Sequence, residues 1–188
     1  MHFGAATNAE KIIFNDKTQT LGNVIFNNCK NLKCIVVGKN VNNISPQFAL
    51  YRDISMTIDE ANSNFVVENQ VLYNKDKTKI VAMLYRINGV FEVKDTVKCI
   101  GTCAFYFQGN MTEINLSKVE KLESMIFYGC SKLKTLTIPS TIQEIDESAF
   151  ENTTGLNNIV IHRKENAIPG SPFGSPFGLR GITWDGTN

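Results

Sequence analysis

The stretch Phe127-Tyr-Gly-Cys130-Ser-Lys-Leu133-Lys-Thr-Leu136-Thr-Ile138-Pro139-Ser-Thr-Ile142-Gln-Glu-Ile145-Asp-Glu-Ser-Ala-Phe150 decides how the chain is read. Counted from Phe127, the positions that matter stand at offsets 3, 6, 9, 11, 12, 15, 18 and 23. Restarted at Phe150, the count meets Thr153, Leu156, Ile159 and Ile161 at offsets 3, 6, 9 and 11. From Phe105 it meets Gln108, Met111, Ile114 and Leu116, and Phe127 then arrives after 22 residues, one early. From Phe26 it meets Cys29, Leu32, Ile35, Val37, Val41 and Ile44. Self-similarity at such a period is the mark of a stacked-repeat architecture.

Side chains alternate along a strand, so offsets 9 and 11 share one face of a short strand. The Ile-x-x-x-x-Phe spacing of Ile100 to Phe105 and Ile145 to Phe150 suits a short helical or turn segment returning across the core. A single unit cannot bury its apolar face, whereas stacked units make that face continuous. The expected fold is an α/β-type right-handed solenoid whose short parallel strands form one sheet on a concave side. Offset 3 carries Cys29, Gln108, Cys130 and Thr153, small or hydrogen-bonding residues suited to meet backbone groups left unpaired by the turn.

Between Met56 and Val93 the period fails. There Val71 to Tyr73 and Ile80 to Leu84 read as a β-hairpin around the turn Asn74-Lys-Asp-Lys-Thr78. Phe91-Glu-Val93 resumes the strand position, and Val97, Ile100 and Phe105 follow on register. The organisation expected is one domain over 1–188: an N-terminal segment (1–20), a first unit (21–55), an irregular unit with the hairpin (56–93), regular units (94–161) and a C-terminal cap (162–188).

With 43% hydrophobic and 20% charged residues, the chain can bury a core. Its 19 basic and 18 acidic residues leave a net charge of +1, which gives no electrostatic footprint for nucleic acid or an anionic membrane. No apolar run approaches the roughly 20 residues that span a bilayer. Met1 to Thr20 does not read as an intact secretory signal. Two readings stay open, a cytoplasmic protein or a mature piece of a longer exported one. The five cysteines, Cys29, Cys34, Cys99, Cys103 and Cys130, are odd in number and not close-set, which argues against a disulfide framework. Cys99 and Cys103 lack obvious partners for a metal, since the only histidines are His2 and His162.

Several motifs together resemble the BspA-like leucine-rich repeats. They are Ile145-Asp-Glu-Ser-Ala-Phe150, Cys130-Ser-Lys-Leu-Lys-Thr-Leu-Thr-Ile-Pro139 and Ile100-Gly-Thr-Cys-Ala-Phe105. The segment Asn69-Gln-Val-Leu-Tyr-Asn-Lys-Asp-Lys-Thr78 is similar to an insertion common in that family, and Ile168-Pro-Gly-Ser-Pro-Phe-Gly174 with Ile182-Thr-Trp-Asp185 is similar to its terminal cap. The resemblance implies a leucine-rich-repeat solenoid on a surface or secreted protein, of the kind associated with adhesion to host proteins, cells or matrix. Gly38 stands where the family has proline and Gln70 where it has glycine, and the first unit decays after Ile44. The family also has many more repeats.

If the strands line a concave face, a column of Val36, Thr57, Glu92, Asn115, Thr137 and Val160 points into it, beside a second of Cys34, Glu113, Thr135 and Asn158. That face is polar and nearly uncharged. The hairpin offers Tyr73, Lys75, Lys77, Lys79 and nearby Arg86 as a second candidate surface, although lysines also guard exposed edges. The repeated phrase in Ser171-Pro-Phe-Gly-Ser-Pro-Phe-Gly178 and the single tryptophan, Trp184, suit the plugging of an open solenoid end. Adjacent Asp146 and Glu147 point apart, and His162 has no evident nucleophile. The sequons at Asn43, Asn110, Asn115 and Asn152 match what an Asn-rich chain yields by chance. The expectation is a monomeric, non-catalytic binding module for a protein or glycan, with no cofactor, metal, nucleic acid or membrane insertion. The alternative is an intracellular scaffold.

Overall fold

The computed structural model describes residues 8–22, 29–45, 48, 54–164, 168 and 181–186. Phe26 and the phrase at 171–178 lie outside them. Contacts divide the chain into two compact units, Met1–Lys77 with Val81–Tyr85, and Thr78–Ile80 with Arg86–Asn188.

In the first unit the strands are β1 (Lys11–Phe14), β2 (Thr20–Leu21), β3 (Cys34–Val37), β4 (Asn43–Ile44) and β5 (Ser55–Ile58). They form two parallel ladders, β1-β3-β5 and β2-β4. Ile12, Ile35 and Met56 stand in register and are buried, while Ile13, Val36 and Thr57 form the outward row between their neighbours. The turn after β3 donates the Gly38 amide to Phe14 O at 2.8 Å, and a Cβ at 38 would also stand 2.8 Å from that oxygen. A side chain at position 38 would therefore collide with the end of the neighbouring strand.

The unit closes with β6 (Phe65–Glu68), β7 (Val71–Asn74) and part of β8 (Lys79–Met83). The expected pair is present, with β7 beside β8, but β6 joins it as a further antiparallel strand. Asn69 and Gln70 make its tight turn with φ of 50° and 57°, the left-handed pair a two-residue hairpin of type I′ requires. The insertion does not protrude as a free hairpin. Phe65, Leu72, Ala82 and Leu84 belong to the apolar cluster of Ile35 and Met56, which holds the strands down. Asn62 sits at the entrance, fully buried: its Nδ2 donates to Gly38 O and Val41 O at 3.0 and 2.9 Å, and its Oδ1 accepts from Asn64 N and Phe65 N at 2.8 and 2.9 Å.

The second unit contains β9 (Gly89–Glu92), β10 (Cys99–Ile100), β11 (Met111–Asn115), β12 (Lys121–Leu122), β13 (Thr135–Ile138), β14 (Glu144–Ile145), β15 (Asn158–Ile161) and β16 (Gly181–Trp184). Its two-residue strands form one parallel ladder, with Lys79 and Ile80 at the start of β8 pairing Cys99 and Ile100, then Lys121 and Leu122, then Glu144 and Ile145. Inside, Phe91, Phe105, Phe127 and Phe150 make a row with successive ring centroids 5.2, 5.9 and 6.2 Å apart. The recurrent phenylalanine of the repeat is thus the spine of the core. At offset 3, Cys130 Sγ donates to Phe105 O at 3.2 Å and Gln108 Oε1 accepts from Ile87 N at 2.8 Å, the turn-satisfying role its chemistry suggests.

Two expectations need correction. Among the described residues there is no helix, so the solenoid is built of strands and turns and is not of α/β type. Cys103 in Ile100 to Phe105 and Met125 in the corresponding Leu122 to Phe127 take φ of 56° and 51°, and Phe107, Gly129 and Asn152 follow the three recurrent phenylalanines with 55°, 74° and 51°. Left-handed residues so placed interrupt right-handed helix. Nor do the long strands of this unit make one sheet: β9-β11 and β13-β15-β16 are separate ladders. At the C-terminal end, β16 continues the parallel ladder of β15 and brings Trp184 opposite Ile161.

Candidate functional site

The candidate face is the set of strand residues that alternate with the buried ones. Thr57, Glu92, Glu113, Asn115, Thr135, Thr137 and Asn158 are exposed, and Val36 and Val160 are half-buried. Cys34 of the second column is half-buried as well. In the first unit Val36 pairs with Thr57. In the second, Glu92 pairs with Asn115, Thr135 with Asn158, and Thr137 with Val160, which in turn pairs with Thr183. Parallel pairing therefore joins these residues two or three at a time, within each ladder.

In the second unit a ladder break separates Glu92 and Asn115 from Thr137 and Val160. The register of β11 against β9 shifts between Met111 and Glu113, a bulge that places both Thr112 and Glu113 outward. Beyond it, β11 and β13 come within 8 Å at their Cα atoms without pairing. A groove of about 530 Å³ runs along this line, bordered by Glu113, Asn115, Thr135, Thr137, Pro139 and His162. Four of the expected residues are thus gathered at one place, whereas Glu92, Asn158 and Val160 do not border the groove. Val36 and Thr57 belong to the first unit and are no part of it.

Local bonds hold several groove residues in position. Asn115 Oδ1 accepts from Ser117 N at 2.9 Å, turning the chain as it leaves β11. Lys134 Nζ donates to Ser131 O at 3.0 Å. His162 Nδ1 is bonded to Asp185 just after β16. The carboxylate of Glu113 and the hydroxyls of Thr135 and Thr137 have no hydrogen-bond partner among the described residues. Thr112, Ser117, Lys134, Pro139 and His162 are among the groove residues that sequence reasoning did not place on this face. The early Phe127 marks this unit in the sequence, since the shortened unit is the one whose strand is bulged against β9 and not paired with β13.

The hairpin surface is not the basic patch its sequence suggests. Tyr73 is buried, Lys75 Nζ donates to Asn62 O, Lys77 pairs with Glu68 at 2.6 Å and Lys79 pairs with Glu123 at 2.6 Å. Each lysine is tied to a separate neighbour. None of the five cysteines is in a disulfide. Burial, followed by the Glu123 carboxylate, pushes the Cys99 thiol up to about 11, and burial pushes Cys130 up to about 12. These thiols are packing groups with little thiolate at neutral pH. Among the described residues no three His, Cys, Asp or Glu side chains converge as a metal site, and no helix is long and apolar enough to cross a membrane.

Parallel strands at a repeating interval, recurrent turns and a phenylalanine spine define a leucine-rich-repeat solenoid. The chain belongs to the BspA-type leucine-rich-repeat family, whose model matches residues 1–88 and 87–187. Two solved structures share the fold. One is a leucine-rich repeat protein from Eubacterium ventriosum, 21% identical with a TM-score of 0.69, over 92% of this chain and 54% of that one. The other is a leucine rich cell surface protein from Faecalibacterium prausnitzii, 18% identical with a TM-score of 0.60, over 99% of this chain and 62% of that one. The chain therefore spans little more than half the length of each. No curated protein is significantly similar in sequence.

Proposed function

We propose that this chain is a non-catalytic adhesion module, at the cell surface or secreted, that recognises protein or glycan through its exposed strand face. The observation that carries the reading is the register of polar, exposed side chains around the ladder break, where Glu113, Asn115, Thr135 and Thr137 line a groove that the packing of the core does not need. Membership of the BspA-type family and the fold shared with a cell surface protein support the placement outside the cell. The face has few aromatic or arginine anchors, so each contact is weak and affinity comes from several contacts together.

Protease shaving of intact source cells, followed with antibody to this domain, tests the reading. Loss of the antibody signal from unbroken cells is the expected result. Protection until lysis overturns it in favour of an intracellular scaffold, the reading that five cysteines outside any disulfide favour.

A further inference from the structure

We propose that the groove between β11 and β13 is a binding site for a neutral oligosaccharide, an inference that rests on the reading of the chain as a binding module. β11 and β13 come within 8 Å. The two strands do not pair along this line, and a polar trough lies between them.

The groups bordering that trough match hydroxyls better than charges. Thr135 and Thr137 present hydroxyls that both donate and accept, Asn115 has its amide nitrogen left to donate, and Glu113 accepts. Asn115 and His162 are pre-set by their bonds to Ser117 and Asp185, so a ligand meets groups already oriented and less ordering entropy is lost on binding. No arginine borders the groove, and its one lysine is bonded to Ser131 O, which disfavours a polyanionic glycan. Pro139 supplies a small apolar edge for the C–H face of a sugar ring. A volume of about 530 Å³ falls within the range of small-ligand sites, roughly 300–1,000 Å³, and has room for a short oligosaccharide.

The experiment is saturation-transfer difference NMR on the full chain with maltotriose, mannotriose, cellotriose and N-acetyllactosamine as probes, followed by ¹⁵N shift mapping of any that binds. The expected result is transfer to at least one probe, amide shifts concentrated at 112–117 and 134–139, and at least tenfold weaker binding in the Asn115→Ala, Thr137→Ala double variant. Thr57→Ala in the first unit should bind as the unaltered chain does. Absence of transfer from all four probes, shifts centred elsewhere, or full binding by the double variant overturns the proposal. Because shift mapping uses the unaltered chain, a double variant that failed to fold would still leave the test decided. The two readings fail separately: cell shaving that shows protection sinks the adhesion role alone, and a surface-exposed domain that binds none of the saccharides sinks the groove assignment alone.

Discussion

The ring of Phe107 lies over the backbone of Gly129 one turn on, so that a Cβ at Gly129 would stand 2.4 Å from Cδ1 of Phe107. Both residues have positive φ, 55° and 74°, and Asn152 holds the corresponding place in the next turn with 51°. Glycine and asparagine suit that backbone, and phenylalanine is the exception. Phe107 is 38% exposed and meets Tyr106 and Tyr128 edge-on, with those two tyrosines stacked 4.6 Å apart.

Gly129→Ala should therefore destabilise the chain by about 2 kcal/mol, from left-handed strain and from collision with the Phe107 ring. In a Phe107→Ala background the collision disappears and the cost should fall to about 1 kcal/mol. Urea midpoints of the four chains in this cycle measure the coupling. Equal costs in both backgrounds would show that the ring moves aside freely.

Phe127 stands between Phe105 and Phe150 and is fully buried. Phe127→Ala should lose about 3–5 kcal/mol, since a buried aromatic leaves a cavity that neighbours on both sides cannot close. Thr137→Ala, on an exposed strand position, should change stability by less than about 0.5 kcal/mol. Chemical denaturation of both variants checks the contrast. A small effect at Phe127 would contradict the inward register.

Asn62 satisfies two carbonyls and two amides at once in a fully buried position. Asn62→Ala should cost about 2–3 kcal/mol because those backbone groups lose their partners where water is excluded. Asn62→Asp keeps the acceptor for Asn64 N and Phe65 N but loses the donor, so it should not restore stability. Thermal melts of the two variants separate the roles. Full stability in Asn62→Asp would mean that the Gly38 and Val41 bonds contribute little.

Glu123 supplies a pH test. Burial alone would raise its carboxyl, but bonds from Lys79 at 2.6 Å and from the Thr102 amide and hydroxyl at 2.9 and 3.1 Å outweigh that and hold it below its ordinary value of 4.5. With the folded value depressed, the unfolded chain takes up the proton first as pH falls. The stabilisation is complete above the ordinary value and is lost as pH falls through the folded one. Urea midpoints measured from pH 6 downward should decline below about pH 4.5, and the decline should be shallower in Glu123→Gln. Identical slopes would remove Glu123 from the acid response.

The inward residues, the outward columns and the recurring phenylalanine were legible because each depends on local alternation and a fixed interval, as Ile159 and Ile161 against Asn158 and Val160 show. The turn conformation at Ile100 to Phe105 was not, since five-residue spacing fits a helical turn as well as a turn with one left-handed residue, Cys103. The lysines of the hairpin looked like a basic surface because their partners, Glu68 and Glu123, are reached only after folding. The groove required the tertiary structure most of all. Sequence marks a unit one residue short, but whether β11 then pairs with β13 depends on hydrogen-bond register between segments more than 20 residues apart. Local pattern determined which side chains face the core; register across the stack decided where the exposed face opens.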